Sequence, residues 1–348
     1  MKPEHKICVQ AFLFWEITKF DDESFSRFIY KPYKDCGMKS IFLGLFVLCW
    51  SVVVGRASER ELTIDTPTGK VYGTLMTPEQ DTKQVIVLLI CGSGATDRDG
   101  NNPQMQGNSI RYLAEDLCAK GIASLRYDKR GVARSVESAM PEQDIRLSTY
   151  VDDAKGWIEA LSKDYDRVVV VGHSEGAKIG TMASAGNSRV AGLVLLAGAG
   201  RPTDEILKAQ IRQTSPMVLG SVSSIIDTLK TGRKVEQVPQ MLYALFRPSV
   251  QPYLISDFAV DPVTVLQGVD VPVLIIQGDK DLQIGVEDAR LLQEARPDAE
   301  LVIIPNMNHV LKPCVSTDMA VQMETYVKPD LRIEPQVARE IADFIERL

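Results

Sequence analysis

The sequence is short of histidine, of clustered cysteine and of basic or long apolar runs, and each shortage removes a class of function. No run of Lys or Arg interrupts a chain whose net charge is -7 and whose pI is near 5.2. The basic face that nucleic acid or an anionic membrane surface requires is therefore missing, and neither partner is expected. The apolar run at residues 41–54 is too short to cross a bilayer, which takes roughly 20 residues. Of six cysteines, Cys8, Cys36 and Cys49 precede residue 57, and Cys91, Cys118 and Cys314 are too scattered for a disulfide framework or a metal-site spacing. These three read as small buried residues. Internal repeats and low-complexity linkers are absent too. What is present is 348 residues, 45% hydrophobic and 24% charged, enough for a sizeable core in one large domain or two ordinary ones.

The N-terminal part reads differently from the rest. Lys39, the apolar run and then Gly55-Arg56-Ala57 follow the charged, apolar and small-x-small order of a secretory signal peptide at 38–57, beginning at Met38. A secreted or periplasmic protein is expected, with no stable membrane anchor after cleavage. The length of the run argues against an anchor, and Leu48, where a small residue would stand, argues against a lipoprotein site at Cys49. Residues 1–37 are then either an upstream stretch from a wrong start or a genuine extension. The folded domain is expected over 58–348.

Period-two alternation at 61–66 and 71–76 around Pro67-Thr-Gly-Lys70 predicts an opening hairpin. After it the pattern changes to short Val, Ile and Leu runs at 85–90, 123–127, 168–171, 193–197, 273–276 and 301–304, as strands covered on both faces show. Helical spacing separates them, as at Ile110-Leu113-Leu117, Val151-Trp157-Ile158-Leu161 and Val337-Ile341-Phe344-Ile345. The alternation predicts an α/β fold with a mostly parallel sheet and helices on both faces. Residues 201–268 interrupt it with amphipathic stretches at 205–213 and 222–229, which read as a helical cap over the carboxyl edge of the sheet.

Four valines run into Gly172-His173-Ser174-Glu175-Gly176, followed by a helical segment at 177–184. A serine nucleophile needs such a sharp strand-to-helix turn, and flanking glycines permit its close backbone contacts. A serine hydroxyl also needs a base. Beyond residue 57 only His173 and His309 are available. His173, beside the nucleophile on a tight elbow, should point away as a packed or hydrogen-bonded neighbour, which leaves His309 on the loop after the last strand. The acid that orients it should follow the 273–276 strand, where Asp279 and Asp281 both stand. Donors for the developing oxyanion are expected from the backbone N–H of Glu175 and, in the loop Cys91-Gly92-Ser93-Gly94-Ala95, of Ser93. That loop lacks the Gly-Lys-Ser/Thr ending and the third dinucleotide glycine, so it is not a phosphate loop.

Gly92-Ser-Gly-Ala-Thr-Asp-Arg98-Asp-Gly-Asn101, Leu125-Arg-Tyr-Asp-Lys-Arg-Gly131, Gly172-His-Ser-Glu-Gly176 and Asn308-His309-Val-Leu-Lys312 resemble the bacterial serine carboxylesterase branch of the α/β-hydrolase superfamily, near the dienelactone-hydrolase and serine-aminopeptidase groups. The resemblance covers most of 60–348 and is weak across 201–268. Ala177 departs from it, since a second glycine often follows there. The resemblance implies hydrolysis of small-molecule esters through an acyl-enzyme, with no cofactor and no metal. It also implies Asp281 as the acid, because Asp281-Leu-Gln-Ile284 is similar to the family's Asp-x-x-Val/Ile segment. The same chemistry would serve a serine peptidase or an acyltransferase, and a non-catalytic binding protein would show a lost triad member. Core packing is the expected job of Tyr243, Phe246, Tyr253 and Phe258.

Overall fold

The computed structural model describes residues 57–348. Residues 1–37, the expected signal peptide apart from Ala57, and Cys8, Cys36 and Cys49 lie outside the described residues.

Eight strands form one sheet in the order β1-β2-β4-β3-β5-β6-β7-β8. The hairpin of β1 (Ser58–Thr66) and β2 (Gly69–Thr77) turns on Pro67 and Thr68 alone, because Thr66 already pairs with Gly69. β2 runs antiparallel to β4 (Ala123–Tyr127). From there through β3 (Val85–Ile90), β5 (Arg167–His173), β6 (Val190–Leu196), β7 (Val273–Gly278) and β8 (Glu300–Ile304) every pairing is parallel.

Parallel neighbours need crossovers, which helices supply: α1 (Ser109–Ala119), α2 (Leu147–Leu161) and α3 (Glu175–Ser184) join the central strands. The valine run of β5 shows why no polar residue could alternate there. Val168 and Val170 pack with Trp157, Ile158 and Ile179 on one face, whereas Val169 and Val171 pack with Leu113, Leu117 and Ile341 on the other. Successive side chains of a strand point to opposite faces, and both faces of this one are covered.

Between β6 and β7 come α4 (Thr203–Thr214), α5 (Leu219–Lys230), α6 (Tyr243–Phe246), α7 (Gln251–Phe258) and α8 (Pro262–Gln267). Leu207, Ile211, Val222, Ile226, Leu229, Phe246 and Phe258 give these helices a core of their own. The chain closes with α9 (Val286–Ala295) before β8, and α10 (Met319–Tyr326) and α11 (Pro335–Glu346) after it. Cys91, Cys118 and Cys314 are buried and free.

Candidate active site

β5 ends at a strained turn. Ser174 adopts φ 55° and ψ -119°, a conformation costing a non-glycine residue about 1–3 kcal/mol that the surroundings must impose. They impose it through two glycines. A Cβ on Gly172 would fall 2.1 Å from the Gly176 carbonyl oxygen, and one on Gly176 would fall 2.3 Å from that of Ile90. Ser174 N–H donates to Leu196 O at 2.8 Å, tying the turn to β6. The helix begins at Glu175, earlier than the sequence predicts, since Ser174 O already accepts from Ala177 N at 2.9 Å.

His309 Nε2 lies 3.1 Å from Ser174 Oγ, and its Nδ1 lies 2.8 Å from Asp281 Oδ2. The Asp281 side chain is wholly buried. Its Oδ1 accepts from the N–H groups of Gln283 and Ile284 at 2.8 and 2.9 Å, and its Oδ2 accepts also from Gln277 Nε2 at 3.0 Å. All these donors address an acceptor-only carboxylate. Asp279 is elsewhere: its Oδ1 accepts from Asn306 N at 2.6 Å. Asp279 therefore pins the start of the loop that carries His309.

That loop is held along its length. Asn306 and Leu311 take positive φ of 57° and 63°. Lys312 N donates to Asn308 Oδ1 at 3.0 Å, and Asn308 Nδ2 donates to Thr325 Oγ1 at 2.7 Å. Lys312 Nζ, fully buried and pushed down to about 8 by that burial, donates to the carbonyls of Thr325 (3.0 Å) and Lys328 (2.7 Å) at the end of α10. A cation there also meets the negative end of the helix dipole. His173 Nε2 hydrogen-bonds to the His309 carbonyl at 2.7 Å, so that nitrogen carries its proton. Burial first, and His309 second, lower its pKa to about 4, which keeps it neutral near pH 7.

Two clefts meet at Ser174. The larger, with about 1000 Å³ of empty space partly open to solvent, is bounded by Tyr150, Glu175, Arg247, Val250, Tyr253 and Leu254 among others. The smaller, of about 510 Å³, includes Thr96, Met105, Ile110, Gln283, His309 and Tyr326 in its wall. Ser93 borders both. Glu175 opens α3, where a backbone N–H has no intrahelical acceptor.

Several pairings around these clefts escaped the sequence reading. Lys129 Nζ lies 2.6 Å from Glu175 Oε2, Tyr253 Oη donates to Glu175 Oε1, and Lys178 Nζ lies 2.6 Å from Asp257 Oδ1. Tyr253 is thus a cleft residue, and Tyr243 is 46% exposed. Tyr253 also packs partly against two of the hydrophobic clusters, as expected, and Phe246 and Phe258 are buried, whereas Tyr243 does not do the core packing expected of it. The available signal for Lys129 and Lys312 was their place inside Leu125–Gly131 and Asn308–Lys312, two of the segments that carry the family resemblance, although nothing in the pattern names their partners.

A family model described as serine aminopeptidase, S33, matches residues 105–312. Esterase EstD of Thermotoga maritima is 27% identical over 289 residues, which are 81% of this chain and 66% of the relative; the chain thus spans just under two thirds of it. Est1E from Butyrivibrio proteoclasticus, solved with ferulic acid bound, superposes with a TM-score of 0.54 at 16% identity, over 82% of this chain and 98% of that one. An esterase of Pyrococcus furiosus superposes with a TM-score of 0.52 at 16% identity, over 86% of this chain and 96% of that one. At such identity the two structures speak for the fold. With more than half of its length matched by the family model, the chain belongs to the serine aminopeptidase S33 family of α/β-hydrolases.

Proposed function

We propose that the chain is a serine carboxylesterase working through an acyl-enzyme, with Ser174, His309 and Asp281 as its triad. The observation that carries the reading is the unbroken hydrogen-bonded line from Ser174 Oγ through His309 to Asp281, at 3.1 and 2.8 Å. His309 takes the Ser174 proton as Oγ attacks the ester carbonyl, and Asp281 holds the imidazole tautomer and steadies the imidazolium. The N–H groups of Glu175 and Ser93 receive the oxyanion. His309 then protonates the departing alkoxide, and water repeats the cycle to release the acid.

The clefts orient the ester. The leaving oxygen must come within reach of His309 Nε2, and His309 lines the smaller cleft but not the larger. The alcohol therefore occupies the side of Met105 and Ile110, and the acyl group the side of Val250 and Leu254.

Ester rather than aminoacyl substrate is favoured by the charges around the acyl side. An α-ammonium group needs an available carboxylate, but those facing this cleft are engaged. Glu142 holds Arg247 and Ser249, Glu175 holds Lys129 and Tyr253, and Asp257 holds Lys178. The kinship with Esterase EstD supports the same side. Nitrophenyl esters of graded acyl length, assayed beside aminoacyl anilides, test the reading. Turnover of the esters with negligible anilide cleavage is expected, and comparable kcat/KM on anilides would overturn it. The proposal extends to export, supported by the signal-like pattern at 38–57.

A further inference from the structure

The residue after the nucleophile carries a carboxylate only 11% exposed, which is an awkward neighbour for a reaction that develops negative charge. The Glu175 N–H faces the oxyanion in the mechanism above, while its side chain lines the same cleft as Ser174. A fixed anion at that range opposes the charge the oxyanion donors stabilise, most strongly where water is excluded. The surroundings answer it with one directly paired cation, and Lys178 adds a smaller attraction. Lys129, 4% exposed at its side chain and coming from the loop after β4, places Nζ 2.6 Å from Glu175 Oε2.

We infer that Lys129 is a positioning residue that cancels the Glu175 charge, so that the oxyanion forms beside a neutral pair rather than beside an anion. The inference rests on the esterase reading of Ser174. Three features argue that neutrality, and not merely packing, is at stake. The lysine reaches its partner across 46 positions of sequence. Its ammonium also lies 5.1 Å from the centre of the Tyr150 ring, a cation–π contact that holds it in place. And the second Glu175 oxygen is taken by the hydroxyl of Tyr253 from α7, which donates and adds no charge.

The other groups packed around the pair are neutral or already matched. Tyr127 at the end of β4, Tyr150 on α2 and Tyr253 on α7 are all pushed up by burial, and His173 on β5 is lowered to about 4, so none is charged between pH 5 and 9. Cys91 after β3 is pushed up to about 12 by burial. Lys178 on the same helix is paired with Asp257, Arg130 with Asp153, and Asp128 with Arg98. Burial pushes the Glu175 carboxyl up, but Lys129, with help from Tyr253, outweighs it and leaves it below the usual range. Removal of Lys129 leaves burial opposed only by the Tyr253 hydroxyl and by Lys178, and the carboxyl should then titrate at higher pH.

The test uses the full chain carrying Lys129→Met, Glu175→Gln or both, assayed with p-nitrophenyl butyrate from pH 5 to 9, with melting temperatures for each. Lys129→Met should lose on the order of 100-fold in kcat at pH 8, a loss like that of an oxyanion donor, with little change in KM. Its activity relative to the parent should recover as pH falls and Glu175 is protonated. Glu175→Gln alone should retain more turnover than Lys129→Met, and the double variant should regain most of what Lys129→Met lost. If Lys129→Met fails to fold, the double variant, which buries no lone charge, decides. A folded double variant that is as slow as Lys129→Met, or a loss independent of pH, overturns the inference. Acyl-enzyme detected by mass spectrometry on Ser174 in the parent keeps that outcome distinct from failure of the esterase reading, in which no such adduct forms.

Discussion

At the scale of single residues, the proposed triad makes Ser174 and His309 one unit. Replacing either by Ala should remove most turnover, and the double replacement should cost little more than one, a non-additivity that initial rates on one ester will reveal. The two aspartates separate in the same way. Asp281→Asn keeps the shape but favours the wrong histidine tautomer, a change worth about 10⁴ in kcat in a well-studied serine protease. Asp279→Asn should instead weaken the bond to Asn306 N and lower the melting temperature, by about 1 kcal/mol in stability, with chemistry largely kept. A catalytic collapse confined to Asp279→Asn would reverse the assignment.

His173 adds a pH signature. Its folded pKa is lowered by burial to about 4 from the ordinary value of 6.5, so between those values the unfolded chain binds a proton that the folded chain refuses. The group's contribution to stability therefore falls as pH drops from 6.5 towards 4. His173→Phe should flatten that part of the melting-temperature profile relative to the parent. Ser174 and His309 were legible because the elbow motif and the shortage of histidine left little choice. Asp281 was legible only through family likeness. The Lys129–Glu175 pair was not legible at all, because an ion pair across 46 residues leaves no periodic trace.

At the scale of elements, the strands were read closely because β3 and β5 to β7 are covered on both faces and so appear as Val-, Ile- and Leu-rich runs, whereas β4 carries Ser124 and Arg126 and β8 is a half-exposed edge. Hairpin closure and helix onset were less visible, being decided by single backbone hydrogen bonds such as Ala177 N to Ser174 O. The His309 loop gives a prediction at this scale. Lys312→Met removes the donor to the buried carbonyl of Thr325 and to the part-buried one of Lys328, and leaving a buried acceptor unmet costs about 1–3 kcal/mol. Melting temperature and kcat should fall together, since the same loop carries the base. Normal kcat with a lowered melting temperature would mean that the loop holds His309 without α10.

At the scale of the whole molecule, the sheet order gathers the proposed triad: Ser174, Asp281 and His309 follow the ends of β5, β7 and β8. The expected export adds a prediction. Made with its leader in a bacterial host, the protein should appear outside the cytoplasm beginning at Ser58 or a near neighbour. N-terminal mass spectrometry decides, and a secreted form retaining residues 42–50 would favour an anchor.

The clasp between Lys312 and the segment at 325–328 also bears on when the enzyme first becomes active during its own synthesis. Ser174, Asp281 and His309 have all been polymerised before Thr325 and Lys328, whose carbonyls steady the base from further along the chain. A nascent chain released after Ser316 would own every group the chemistry requires and still lack the anchor that aligns them. Such a truncated chain should show negligible turnover, whereas supplying the last residues should switch it on. The final stretch of translation, not the appearance of the last side chain of the proposed triad, would then mark the onset of activity, and under the proposed export a cell would gain a delay before esters indoors are attacked.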